Sequence, residues 1–505
     1  MTLVPPHLPT FRAWLDRQCE RAPERSAFAF RQRQWSYGEL GSVTDTLAAS
    51  LHERGLRPGD RLAIALPNSP EHLLLWLAAA KLGAVVAPLH AQWTADERER
   101  ALALLRPRLV AGGENASSEL DLDAVRALLD APARAFPAVR PKSADAAAEL
   151  LFTSGTTGLP KAAIQTYRAM MLTGEAFADW LRLRVDDRLF TCLPLAHVNA
   201  RFYSTMGALA AGATLVLEER FSASAFWRQV VGARATVVNA IGAMLRILLQ
   251  APPGELDRAH GLRLVYSSPT LGEALHREFE SRFGVRLVIG YGMTECTFGA
   301  IHPLDFPHDA SDRHLDSMGR ARRHPDPAWE QGLRLVDPAT SAEAQLREVA
   351  DGEPGEILLA GPTVFAGYFE NATATAESLR ADGWLRTGDL ATRDADGFLT
   401  FVGRRKEMIR RRGENISPLE IEATLESHPA VREAAVVGVP GELGEEEVAA
   451  FVVTRDGVAV AVDDLRAWCA ARLARFKVPS RWQFVDTLPR TSTNRIAKGE
   501  LSRLQ

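Results

Sequence analysis

Residues Thr153 to Lys161 read TSGTTGLPK, and this stretch decides how the chain is to be understood. Gly155, Gly158 and Pro160 let the backbone turn close to a ligand. Thr153, Ser154, Thr156 and Thr157 supply hydroxyl donors, and Lys161 supplies a point charge. Backbone amides bared in such a turn form a concavity for anions, which suits the loop to polyphosphate. Just before it, Leu150, Leu151 and Phe152 form an apolar run that predicts the strand delivering the loop. The spacing Gly155, Gly158, Lys161 departs from the GxxxxGK(S/T) pattern of P-loop ATPases, so that fold does not follow. An ordinary Ser/Thr/Gly surface loop is the other reading of the same composition.

With 505 residues, 46% of them hydrophobic, the chain can bury a large core and is expected to divide into two or more domains. Its net charge of -4 argues against bulk attraction to nucleic acid or to an anionic membrane. Cys19, Cys192, Cys296 and Cys469 are far apart and form no CxxC pair, which indicates neither a zinc site nor a disulfide framework. The opening MTLVPPHLPTFRAW lacks the pattern of an export signal, so a cytoplasmic location is expected. The longest apolar stretch, Leu73 to Leu89, is interrupted by Lys81 and Pro88. It reads as a buried helix running into a strand, not as a membrane span. Only six of the 59 basic residues are lysines (Lys81, Lys142, Lys161, Lys406, Lys477 and Lys498), which makes each a candidate for a specific role. Lys142, in a polar stretch, reads as solvated surface.

Helical stretches at Phe11 to Arg21, Tyr37 to Arg54 and Glu273 to Arg282 alternate with short branched runs at Arg61 to Leu66, Ala213 to Leu217 and Ala235 to Val238. Such alternation predicts parallel sheets covered by helices, an α/β fold. From about Gly352 the texture changes to glycine-punctuated strands, GEILLAG and DGFLTFVG, which predict a smaller and more antiparallel region. Beyond Gly403 a helix (Pro418 to Ser427) and strands (Val431 to Val439, Val448 to Thr454) return. A domain boundary is expected at Arg404 to Lys406.

Five strings share one order: TSGTTGLPK, YGMTE (Tyr291 to Glu295), GWLRTGDL (Gly383 to Leu390), FVGRRKEMIRRRGENISPLEIE (Phe401 to Glu422), and FKVP with LPRT (Phe476 to Thr491). In this the chain resembles the adenylate-forming superfamily of acyl-CoA synthetases, firefly-type luciferases and peptide-synthetase adenylation domains over nearly its whole length. The segment Ala211 to Leu248 is more similar to carnitine/crotonobetaine-type CoA ligases than to the other branches. The resemblance implies a large N-terminal domain (1–403) of parallel α/β subdomains with a small β-barrel-like region, a hinge (404–406), and a small mobile C-terminal α+β domain (407–505).

It also implies chemistry. Such enzymes let a carboxylate attack the α-phosphate of ATP, then let a thiol displace AMP from the acyl adenylate. By similarity Tyr291, with Gly290, Gly292 and Met293 around it, stacks on adenine; Thr294 bonds the α-phosphate; and Glu295 holds Mg²⁺. The turn Ser267, Ser268, Pro269 joins the nucleotide set, Asp389 accepts the ribose hydroxyls, and Arg404 adds donors nearby. Lys406 marks the hinge about which the small domain turns between half-reactions, and Gly413, Glu414 and Asn415 then line the pantetheine tunnel of coenzyme A. Arg404, Arg405, Arg410, Arg411 and Arg412 form a basic cluster, suited to CoA phosphates or equally to a solvated face; no aromatic residues interleave it as nucleic-acid binding would want.

Near the C-terminus the pattern breaks. The family runs LPRTxxGK, with a catalytic lysine, where this chain has Asn494 and Arg495. Three readings stay open: Arg495 acts instead, Lys498 acts through a shift of register, or adenylation is slow or lost. Ala162 likewise replaces the glycine after Lys161. By similarity the acid is met by His197, Asn199, Phe202, Asn239, Gly242 and Met244. No acidic residue lies between Thr191 and Met206 to meet an ammonium, which disfavours amino acids. His197 also fits a core histidine, and the small residues Gly242, Ala243, Ser267 and Ser268 leave room for a bulky acyl group or else serve packing.

The expected activity is therefore an ATP-dependent acid–thiol ligase using ATP, Mg²⁺ and coenzyme A on a carboxylic acid, without nucleic acid and without membrane insertion. Alternatives are an enzyme that forms only the adenylate and passes it to an acyl carrier protein, one that performs only thioesterification, and, from another class, a nucleotide-binding scaffold without turnover. Homo-oligomerisation stays open.

Overall fold

The computed structural model describes residues 9–112, 120–153, 161–268, 270–305, 314–321, 330–411, 414–441, 446–490 and 496–502. Two compact units result. The first takes the described residues of Met1–Thr153, Leu159–Leu333 and Leu359–Leu385; the second takes those of Arg334–Leu358 and Arg386–Gln505.

In the first unit the apolar run after Leu73 becomes a helix, Pro70–Leu82, and a strand, Val85–Pro88. The helix starts where the Ser69 hydroxyl accepts the His72 amide and Pro70 presets the first turn, and it stops at Gly83 in a left-handed conformation. It is buried all round, so its sequence carries almost no polar face. Lys81 breaks the apolar run yet is itself buried, its Nζ lying 2.6 Å from Asp16 and 2.5 Å from Asp45 on two neighbouring helices. Pairing is what permits a buried ammonium there.

Two sheets form around this core. A five-stranded sheet has the order Leu109–Ala111, Arg61–Ile64, Val85–Pro88, Ala147–Thr153, Lys161–Thr166, parallel except for its last pair. A nine-stranded sheet has the order Arg320–Ala321, Cys296–Ile301, Arg286–Met293, Leu264–Ser267, Val237–Asn239, Arg188–Thr191, Thr214–Leu217, Ser26–Phe30, Arg33–Ser36. Its interior is parallel; one margin is the antiparallel hairpin of Ser26–Phe30 and Arg33–Ser36, and the other adds two antiparallel pairs beyond Arg286–Met293. The expected α/β class is what the chain adopts. A buried cluster that includes Trp14, Trp76, Phe177, Phe190 and Phe279 fills the space between strands and helices; burying side chains of this size contributes roughly 2–3 kcal/mol each.

The second unit holds most of a four-stranded sheet ordered Gly332–Val336, Gly355–Ala360, Leu385–Arg393, Leu399–Arg404. Farther along it has a three-stranded sheet, Val431–Pro440, Glu446–Thr454 and Arg481–Phe484, with the helices Pro418–Glu426 and Val462–Ala470. Alternation along Val431–Pro440 feeds two small cores: Ala434 and Val436 on one face, Ala435 and Val437 on the other. No helix among the described residues is long and apolar enough to cross a membrane.

Candidate active site

Strand Ala147–Thr153 leads into the TSGTTGLPK motif, as its apolar end predicts, and pairs antiparallel with Lys161–Thr166, so that Thr153 faces Lys161 across the ladder. Ser154, Gly155, Thr156, Thr157 and Gly158 lie outside the described residues, as do Pro269, Gly413 and Arg495. Of Glu414, only the backbone is described, in the strand Glu414–Ile416. Thr153 Oγ1 donates to the Lys161 carbonyl at 3.4 Å.

YGMTE forms the end of a hairpin in which Gly290 pairs with Ile301, Tyr291 with Ala300 and Met293 with Cys296. Thr294 and Glu295 are thereby the two residues at its tip. The two glycines of the motif have a packing reason. A Cβ at Gly290 would lie 2.5 Å from Tyr266 Oη, and one at Gly292 would lie 2.7 Å from Tyr203 Oη. Those phenol rings sit in an aromatic cluster with Phe177 and Phe298, which supports the hairpin from below. Tyr291 is buried, with its ring against Gly299.

Two residues that local sequence did not single out tie this tip to the lysine strand. The Gln165 side-chain amide donates to the Thr294 carbonyl at 2.6 Å. The Tyr368 phenol donates to Glu295 Oε1 at 2.7 Å, and Lys161 Nζ lies 5.1 Å from the centre of the same ring. Burial and the Glu295 carboxylate both push the Tyr368 phenol up, so it stays protonated as a donor. Tyr368 and Glu295 are 73 residues apart, and no periodicity or spacing links them.

The residues expected to meet the acid fall into two sets. Phe202 and Met244 are buried in the hydrophobic core, and Gly242 opens the helix Gly242–Gln250. Asn199 begins a π-helix, Asn199–Thr205, Asn239 ends one strand of the nine-stranded sheet, and Ser267 ends the next. Asn199 Oδ1, Asn239 Oδ1 and Ser267 Oγ are buried and find no hydrogen-bond partner among the described residues. Buried orphans of this kind are uncommon in folded proteins. Here two of the three sit at the carboxyl ends of adjacent parallel strands, where open α/β sheets bind ligands. The Asn239 amide meanwhile donates to Ser204 Oγ at 2.8 Å, which fixes its oxygen in place. His197 is half-buried, its ring 5.4 Å from that of His90; burial lowers the His90 value, which favours its neutral form.

In the second unit Asp389 is buried and opposite Arg404 across the strand pair, Oδ1 to Nε 3.1 Å. Gly388, inside the strand Leu385–Arg393 just before Asp389, has φ +71°, a conformation that favours glycine. Its amide and Arg405 both reach the buried Glu356, at 3.2 and 3.1 Å, a third group that sequence did not flag. Three arginines of the basic cluster thus have carboxylate partners inside this unit: Arg404 with Asp389, Arg405 with Glu356 and Arg411 with Glu447. Lys406 sits in the exposed 3₁₀ turn Arg405–Glu407. Lys498 is held 2.7 Å from the buried Glu422.

Residues 15–369 match the AMP-binding enzyme family, and residues 420–495 match the AMP-binding enzyme C-terminal domain. The crotonobetaine/carnitine–CoA ligase of Citrobacter koseri is 35% identical over 498 residues, covering 93% of each chain. Among solved structures, the chain is similar to ATP-bound MatB from Rhodopseudomonas palustris, with TM-score 0.88 and 28% identity over 98% of both chains. It is similar as well to o-succinylbenzoate–CoA synthetase (MenE) from Bacillus subtilis in complex with its acyl-adenylate intermediate, with TM-score 0.83 and 28% identity over 98% of both.

Proposed function

The chain belongs to the AMP-binding enzyme family and is by class an AMP-forming acid–thiol ligase; from that premise we propose that it carries out both half-reactions on a carboxylic acid other than an amino acid. In the first, a carboxylate oxygen attacks the α-phosphorus of ATP and the bond to the bridging oxygen breaks, releasing pyrophosphate. In the second, the sulfur of coenzyme A attacks the acyl carbon, AMP leaves, and the thiol proton passes to solvent. Catalysis is by positioning and phosphate electrostatics, with no covalent enzyme intermediate.

The observation that carries this reading is the trio of buried orphans, Asn199 Oδ1, Asn239 Oδ1 and Ser267 Oγ, with two of them at the strand ends where a ligand is expected. Tyr291, Thr294 and the loop from Thr153 to Lys161 serve the nucleotide, Asp389 and Arg404 serve its ribose, and the segment 404–406 is the hinge between domains 1–403 and 407–505. Glu295 fits Mg²⁺, since it offers hard carboxylate oxygens on a rigid hairpin tip. When bound, Mg²⁺ would neutralise charge on the phosphates. For the adenylation cation, the Lys498–Glu422 contact favours Arg495, because Lys498 already has a buried carboxylate to satisfy. By similarity, Gly413 and Glu414 are assigned to the pantetheine arm. The reaction runs in the cytoplasm, where ATP and CoA are supplied.

Pyrophosphate release across a panel of acids, with and without CoA, tests the proposal. Crotonobetaine and carnitine, the acids in the relatives' names, belong in that panel beside aromatic and fatty acids. Acid-dependent release without CoA, followed by thioester formation on adding it, is the expected result. Thioester formation only from supplied acyl-AMP would replace it with the split-enzyme reading, and adenylate passed only to an acyl carrier protein would replace the acceptor.

A further inference from the structure

One short segment fastens both halves of the nucleotide grip. The Phe365 amide donates to the Glu295 carbonyl at 2.8 Å, while Val364 bridges to Cys296. The same segment then runs along the lysine strand: Ala366 donates to Ile164 at 2.9 Å, Ile164 to Gly367 at 2.9 Å, and Phe369 to Ala162 at 2.8 Å. Backbone bonds therefore hold the hairpin tip and the Lys161 strand against a single piece of chain, and Tyr368 is the side chain this piece directs between them. Its hydroxyl takes one oxygen of Glu295 and its ring lies beside the ammonium of Lys161.

We propose that Tyr368 is a positioning residue that sets the Glu295 carboxylate for magnesium and keeps the Lys161 ammonium beside it, so that metal and cation reach the triphosphate as one preformed unit. This rests on the assignment of Glu295 and Lys161 to the nucleotide. The division of labour follows from the chemistry of the phenol. A donor on one carboxylate oxygen fixes the orientation of the other, as outer-shell groups do for metal ligands. The ring face attracts the ammonium without neutralising it, as a carboxylate partner would, and leaves it available to phosphate. A phenylalanine at 368 would keep the second effect and lose the first.

Calorimetry of ATP binding, in Mg²⁺ and in EDTA, separates the two without any acid substrate. Wild-type chain is expected to bind ATP more tightly in Mg²⁺. Tyr368→Phe should cut that metal-linked gain about tenfold, the size of one charge-assisted hydrogen bond, and leave affinity in EDTA unchanged. Tyr368→Leu should also weaken binding in EDTA, and Tyr368→His, which keeps a donor, should restore part of the gain. In a Glu295→Gln background Tyr368→Phe should cost nothing more. An unaltered metal-linked gain in Tyr368→Phe, or a loss that adds to that of Glu295→Gln, overturns the proposal. Failure of the wild type to bind ATP more tightly with Mg²⁺ instead overturns the assignment beneath it, and that is seen before any variant is made.

Discussion

Arg201 and Glu149 meet through two hydrogen bonds of 2.8 and 2.9 Å, and neither side chain reaches solvent. Arg201 belongs to the π-helix beside the proposed acid pocket; Glu149 lies on the strand Ala147–Thr153 that leads into the proposed phosphate loop. Trp76 covers the guanidinium at 3.8 Å, and the Leu195 carbonyl accepts another of its protons at 3.1 Å. Removing one partner leaves the other charge buried alone. Arg201→Met is therefore expected to cost about 3–5 kcal/mol, and the double variant Glu149→Leu/Arg201→Met to recover much of it. Urea denaturation of the two variants checks this; equal losses would contradict it.

Glu295→Gln keeps the shape of the hairpin tip and removes its charge. Acid-dependent pyrophosphate release should fall on the order of 10²-fold with little change in melting temperature. Thr294→Val should cost roughly tenfold in the same assay, the size of one hydrogen bond to a charged group. A Glu295→Gln enzyme with wild-type release would remove Glu295 from the metal site.

The two C-terminal cations should separate cleanly. Arg495→Ala is expected to abolish acid-dependent pyrophosphate release while thioester formation from supplied acyl-AMP survives. Lys498→Ala should instead lower stability by about 1–3 kcal/mol, because Glu422, which burial pushes up and Lys498 holds down, loses its partner. The opposite pattern would hand the adenylation role to Lys498.

Asp187 supplies a pH signature. Burial by itself raises this carboxyl, but hydrogen bonds from Arg263, Thr236 and the Arg184 amide hold it below the usual carboxylate value. A carboxyl lowered on folding contributes stability above its unfolded value, roughly pH 4, and that contribution is lost as pH falls through the folded value. Asp187→Asn should cost about 2–3 kcal/mol at pH 7 and flatten the loss of melting temperature below about pH 4. Parallel melting curves for wild type and variant between pH 7 and pH 3 would rule this out.

Much of the fold was legible because it is local. The helix at Phe11–Arg21, the helix and strand within Leu73 to Leu89, and the short branched strands all follow from periodicity, caps and breakers a few residues apart. Lys81 illustrates the limit. Its place in an apolar run marks it as an interruption, but its carboxylate partners come from two other helices and cannot be read from its neighbours. The basic cluster was similarly ambiguous, since the carboxylates that meet Arg405 and Arg411 lie far away in the chain, at Glu356 and Glu447.

By itself the sequence determined the element types, the order of the motifs and, through them, the family, because these depend on contacts and spacings within short stretches. Strand order was decided only in three dimensions, and with it which side chains share a site. Gln165 and Tyr368 join the proposed nucleotide grip because the lysine strand, the hairpin tip and the segment around Phe365 lie side by side. A hydrogen bond depends on where its two atoms sit in space, and chain positions so far apart leave no periodic trace of it.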